Sequence, residues 1–115
     1  MNSVNLVARI AAEPEQRTTD SGAVTRLRVA VQRPRKNGED RGADFIDVTV
    51  FGTLAENCAR YLTKGRRVAI TGRLRHSEWE GENGRRQRLE VIGETVDFLD
   101  SPRSEDADTP TEVAA

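Results

Sequence analysis

The run Phe45 to Phe51, FIDVTVF, constrains the fold of this chain more than any other segment. Successive side chains of a strand point to opposite faces. The even set Ile46, Val48 and Val50 therefore predicts a core face, and the odd set Phe45, Asp47, Thr49 and Phe51 the other face. The same half-polar alternation recurs along the chain. Val4 to Ile10 reads as a strand, and Val24 to Val31 sets Leu27, Val29 and Val31 against Arg26 and Arg28. Arg66 to Leu74 turns Val68, Ile70, Gly72 and Leu74 inward, and Arg85 to Phe98 is a last strand with Gly93 as its expected bulge. Strands with one polar face do not belong in a parallel sheet covered on both sides.

Between these runs lie Pro14, the turn signal Asp20-Ser21-Gly22, the polar loop Pro34 to Ala43, and a hairpin signal at Gly81 to Gly84. One helix is expected, opening at Thr53 with Glu56 as a capping box. Leu54, Ala55, Cys58, Tyr61 and Leu62 form its apolar stripe and are read as core, and Lys64-Gly65 closes it. The order β-β-β-α-β-β fits an all-β architecture with one helix: a five-stranded OB-fold barrel plugged at one end. At 115 residues there is room for one such domain, read here as residues 1–100.

Charge must be read by position. The formal net charge is −1, yet residues 1–100 carry +2 and residues 101–115 carry −3. SPRSEDADTPTEVAA is expected to be a disordered acidic tail. There is no run of ~18 apolar residues as a membrane span requires, and the start MNSVNLVARIAAEPE is not patterned like a secretion signal. A cytoplasmic protein is expected. With one Cys and one His, neither an internal disulfide nor a zinc site of ordinary spacing is available. No nucleophile or P-loop motif is present, so no catalytic residues, cofactor or metal are expected, and an enzyme is disfavoured.

Two of the three phenylalanines thus lie on a polar strand face. If the fourth strand stays regular, Trp79 projects from the same side as Arg67, Arg73 and Arg75. Aromatic faces beside arginines suit single-stranded nucleic acid, because every base has a π-face and arginine contacts phosphate or stacks on bases. Other readings stay open on the residues alone: a subunit interface or the loop 34–43 covering Phe45 and Phe51, Trp79 anchoring its hairpin, or Arg73 and Arg75 as a solvated edge. His76 reads as a polar surface residue.

VNLVARI, GAVTRLRVAV, DFIDVTVFGTLAENCARYLTKGRRVAITGRLR and the following SEW resemble the bacterial single-stranded DNA-binding protein family, over Asn2 to about Asp100. The resemblance implies an OB-fold homotetramer that wraps single-stranded DNA without sequence preference in replication, recombination and repair. It implies base stacking at Phe45, Phe51 and Trp79, and a phosphate-contacting segment at Arg75. Arg35 stands about where such proteins carry another stacking tryptophan, and Asp47, Thr53, Ser77 and Glu78 stand where they often carry cations. A shallower salt dependence follows. The short tail lacks the family's long linker and acidic-aromatic tip, so docking of replication and repair proteins through it is not expected. A short form of this kind looks like a secondary or mobile-element copy.

The resulting expectation is a non-enzymatic protein in which Phe45, Phe51 and Trp79 stack on bases and Arg28, Arg73 and Arg75 hold phosphates. Arg33, Arg35 and Lys36 in the loop are further candidates. Oligomerisation is expected through the free edge of the first strand. The alternatives are a primosomal-type OB-fold accessory protein that bridges replication factors, and an OB-fold that binds oligosaccharide or a protein surface.

Overall fold

The computed structural model describes residues 1–99; the expected tail at 101–115, with Asp100, lies outside the described residues. The elements are β1 (Val4–Ile10), β2 (Glu15–Thr19), β3 (Gly22–Gln32), β4 (Ala43–Phe51), α1 (Gly52–Tyr61), β5 (Arg67–Gly81) and β6 (Gly84–Phe98). They form one sheet in the order β1-β5-β6-β4-β3-β2, and a β1–β3 pairing at Arg9↔Ala30 and Ile10↔Val29 closes five of the six strands on themselves. The pairings are antiparallel except β4–β6, which is parallel and joins Val48 to Val91 and Thr49 to Ile92.

The expected five strands correspond to β1, β3, β4, β5 and β6, and β2 is an addition. Its sequence EQRTT has no apolar alternation and all five residues are exposed. It forms because a tight turn at Asp20-Ser21 folds it back on β3, with Gly22 at φ 119° and the Thr19 hydroxyl bonded to Ser21 N and Gly22 O. Hydrophobic patterning cannot detect a strand held only by ladder bonds.

On β1, β3, β4 and the core half of β5 the set expected to face inward is the buried one, and Thr49 of the outer set is buried as well. Leu27, Val29, Val48, Val50 and Val68 are fully buried, and Ala55, Cys58 and Leu62 of the helical segment pack into the same core. The buried Thr25 hydroxyl donates to Ala55 O at 2.7 Å, tying α1 to β3. Three details of the helix differ from expectation. It begins at Gly52, whose φ of 69° turns the chain straight out of β4, and Phe51 occupies the cap with no side-chain cap bond. The Thr53–Glu56 box is therefore not the cap. The helix stops at Tyr61, before Lys64-Gly65. Tyr61 is half exposed with the Arg60 guanidinium 5.3 Å from its ring centre, while Leu62, the next residue of the stripe, is buried.

The β5–β6 hairpin is longer than expected and runs beyond the core, which leaves Leu74 largely exposed. Its ladder slips by one residue, from Thr71↔Thr95 to Gly72↔Gly93, so Glu94 is the extra residue of the bulge expected at Gly93. Both glycines are required by contact. A Cβ on Gly72 would collide with the Ile92 carbonyl oxygen, and one on Gly93 would sit 2.8 Å from Val50 Cγ1.

Leu27→Ala should lower the unfolding free energy by about 2–5 kcal/mol through lost burial and a cavity. Gly72→Ala should also destabilise, since backbone must move. Urea denaturation reads both; midpoints unchanged from wild type would contradict this packing.

Candidate nucleic-acid interface

Register places side chains on the outer face of β3, β4, β6 and β5. On β3, Arg26 and Arg28 stand opposite Thr49 and Asp47 of β4, and Ala30 and Val24 stand opposite Phe45 and Phe51. On the hairpin, Arg73, Arg75, Ser77 and Trp79 of β5 stand opposite Ile92, Glu90, Arg88 and Arg86 of β6. Since β6 lies between β4 and β5, one continuous face holds all three aromatic residues expected to stack. Phe45 is 56% exposed, Phe51 45% and Trp79 49%. The strand does stay regular as far as Trp79, so the parity that assigned its face holds.

The arginines are not loose cations. Arg28 Nη1 lies 3.0 Å from Asp47 Oδ1, and its guanidinium sits 5.4 Å from the centre of the Phe45 ring. Arg75 Nη2 donates to Glu90 Oε2 at 2.8 Å, and Arg73 Nη1 lies 3.4 Å from Glu94. Arg88 Nη2 reaches the second oxygen of Asp47 at 3.6 Å. In the loop, Arg33 pairs with Asp44 at 2.7 Å and Arg35 Nη1 donates to Gly38 O at 3.4 Å. Lys36 and Glu39 bridge a two-residue turn in which Asn37 and Gly38 have φ of 56° and 76°, the type I′ geometry that Asn-Gly favours.

Glu90 is the buried centre of this face. Its Oε1 accepts from Thr49 Oγ1 at 2.6 Å and its Oε2 from Arg75, so one carboxylate links β4, β6 and β5. Burial is the largest influence on its pKa and pushes it up. The bonds from Thr49 and Arg75, with the charges of Arg75 and Arg88, together outweigh burial and hold it below the ordinary carboxyl value. The other buried ionisable group, Cys58, has its thiol pushed up to about 11 by burial and is no nucleophile.

Arg26, Arg86 and Arg88 also belong to this face and are not among the contacts expected from the sequence. Arg26 was visible as the polar-face neighbour of Arg28. Arg86 and Arg88 were obscured by the bulge. Val96 and Phe98 pack inward at even positions, whereas before Glu94 the odd Val91 packs inward, so even positions there face out. The first strand's edge is only partly free: β1 meets β3 at Arg9 and Ile10, and Val4–Ala8 pair with β5 alone. Among the described residues no cluster of His, Cys, Asp or Glu could hold a metal ion, and no helix is long and apolar enough to cross a membrane.

A closed sheet, antiparallel but for one joint, with one helix at its end and exposed aromatic rings among arginines on one outer face, is an OB-fold protein with a surface suited to a single nucleic-acid strand. The chain belongs to the Single-strand binding protein family, whose model matches residues 1–99. It is 41% identical over 107 residues to single-stranded DNA-binding protein 3 of Listeria innocua, covering 90% of this chain and 67% of that one. It is likewise 41% identical over 109 residues to the single-stranded DNA-binding protein of Thermotoga maritima, covering 90% and 77%. Among solved structures, the small single-stranded DNA-binding protein of Streptomyces coelicolor superposes with a TM-score of 0.72 at 23% identity, over 84% of this chain and 93% of that one, a likeness of fold.

The low pKa of Glu90 has a signed consequence. The unfolded chain binds this proton more tightly, so the group's contribution to stability is complete above the ordinary carboxyl value of 4.5 and is lost as pH falls through the folded value. Glu90→Gln should therefore cost about 1–3 kcal/mol at pH 7, and the gap from wild type should close below pH 4.5. Urea titrations across pH check this; an equal gap at pH 3 and pH 7 would refute it.

Proposed function

We propose that this protein binds single-stranded DNA without sequence preference, stacking bases on Phe45, Phe51 and Trp79 and contacting phosphates through Arg28, Arg73 and Arg75, with Arg33, Arg35 and Lys36 at the rim. The observation that carries this reading is the exposure of all three rings on one continuous arginine-bearing face. Half-exposed aromatic side chains gathered on one surface mark a binding site. Base stacking is indifferent to base identity and contributes roughly 1–3 kcal/mol per base. The naming of its relatives as single-stranded DNA-binding proteins supports the same ligand.

The working form is a homotetramer, acting in replication, recombination and repair in the cytoplasm, with no catalytic step of its own. The unpaired side of Val4–Ala8 on β1, with Val7 exposed, offers an edge for a second copy. Light scattering should give the mass of four chains; a one-chain mass would overturn the assembly.

Trp79 is the only tryptophan, so its emission reports on one position of the face. Poly-dT should quench it and high salt should restore it. Phe45→Ala and Phe51→Ala should each weaken poly-dT binding by roughly 5- to 150-fold, the stacking free energy converted to affinity. Unquenched emission at saturating poly-dT would remove Trp79 from the site, and unchanged affinity in both phenylalanine variants would favour a protein-bridging role.

A further inference from the structure

The outer face carries six arginines, Arg26, Arg28, Arg73, Arg75, Arg86 and Arg88, and its carboxylates are placed against four of them. Asp47 lies 3.0 Å from Arg28 and 3.6 Å from Arg88, Glu90 lies 2.8 Å from Arg75, and Glu94 lies 3.4 Å from Arg73. Off this face, Asp44 at the start of β4 lies 2.7 Å from Arg33. Among the described residues Arg26 and Arg86 form no ion pair, although Glu15 of β2 stands opposite Arg26 in register.

Folding does not account for the outer pairs. The side chains of Arg28 and Asp47 are 51% and 31% exposed, and those of Arg73 and Glu94 are 47% and 52% exposed. Pairs so open to water contribute little stability. Their effect is on the field above the face. A phosphate arriving at a paired arginine displaces a carboxylate, exchanging one anion for another, so the electrostatic gain that drives polyanion binding is reduced. Stacking is untouched, because the rings of Phe51 and Trp79 stay open. Any polyanion offers phosphate, but only a single strand offers unstacked bases.

We propose that Asp47 and Glu94, with Glu90 beneath them, are specificity-determining residues. By pairing with the arginines of the face they suppress binding of polyanions that present phosphate without accessible bases, such as duplex DNA and polyphosphate. Selection is thereby left to stacking. The proposal rests on the single-strand binding proposed above.

The test uses the full chain and its Asp47→Asn/Glu94→Gln variant, with oligo-dT, a duplex of the same length and inorganic polyphosphate as probes, each titrated at several salt concentrations. Wild type should prefer oligo-dT strongly. The variant should gain about tenfold or more toward duplex and polyphosphate. Its oligo-dT salt slope should steepen by about 0.7 for each arginine released, approaching about 2 for Arg28, Arg73 and Arg88 together. Unchanged slope and unchanged duplex and polyphosphate affinities would overturn the proposal. Failure of wild type to bind oligo-dT would instead overturn the single-strand reading, and the polyphosphate arm would still decide whether the carboxylates screen the face. Should the double variant fold poorly by circular dichroism, Glu94→Gln alone, altering an exposed side chain, should steepen the slope by about 0.7, and an unchanged slope would overturn the proposal.

Discussion

The structure depends on the short parallel joint between β4 and β6. Every other pairing is antiparallel, and two of them, β2–β3 and β5–β6, are hairpins closed by tight turns. A parallel pairing needs a crossover connection; here the chain runs through α1 and β5 before β6 reaches β4, and only Val48↔Val91 and Thr49↔Ile92 pair. On the inner side the joint depends on the missing side chain of Gly93, since a Cβ there would stand 2.8 Å from Val50 Cγ1. On the outer side Thr49–Glu90 and Asp47–Arg88 bridge the same two strands. Closure of the sheet and continuity of its outer face are therefore one feature. The two phenylalanines reach the tryptophan only across this joint.

Placing a carboxylate at that position is costly unless each oxygen is bonded. Glu90 meets the condition with a hydroxyl on one oxygen and a guanidinium on the other. Arg75 is thereby held to the sheet by its partner. Arg28 is restrained differently, by Asp47 from the side and by the Phe45 ring at 5.4 Å. A planar guanidinium over a ring extends its flat surface, so Phe45 presents ring and cation together. Phe51 and Trp79 have no such neighbour among the described residues and present their rings directly.

Much of this was legible in the sequence, for identifiable reasons. Alternation fixed the faces of β1, β3, β4 and the core half of β5, because burial on one side makes a strand's register visible. The same rule turned Phe45, Phe51 and Trp79 outward. It failed where the cause of structure is not burial. β2 forms from backbone ladders alone, α1 begins through the positive φ of Gly52, and the bulge at Glu94 inverts parity along β6. That inversion hid Arg86, Arg88 and Glu90 together. Ion pairs across strands were equally invisible, since Asp47 and Arg28 are brought opposite each other by register and not by spacing.

The charge of the chain shows how much such placement matters. A net charge of −1 speaks against a polyanionic ligand, and a body of +2 speaks only weakly for one. Neither figure describes what a ligand meets. On the outer face arginines outnumber carboxylates, yet four of them are already engaged, and the engaged ones surround the joint at the centre of the face. Arg26 and Arg86, opposite Thr49 and Trp79 across the sheet, are the two outside these ion pairs, and Glu15 of β2 also stands opposite Arg26 in register. Ion pairing between facing strands, and not the count of charges, therefore sets what this face presents to a ligand.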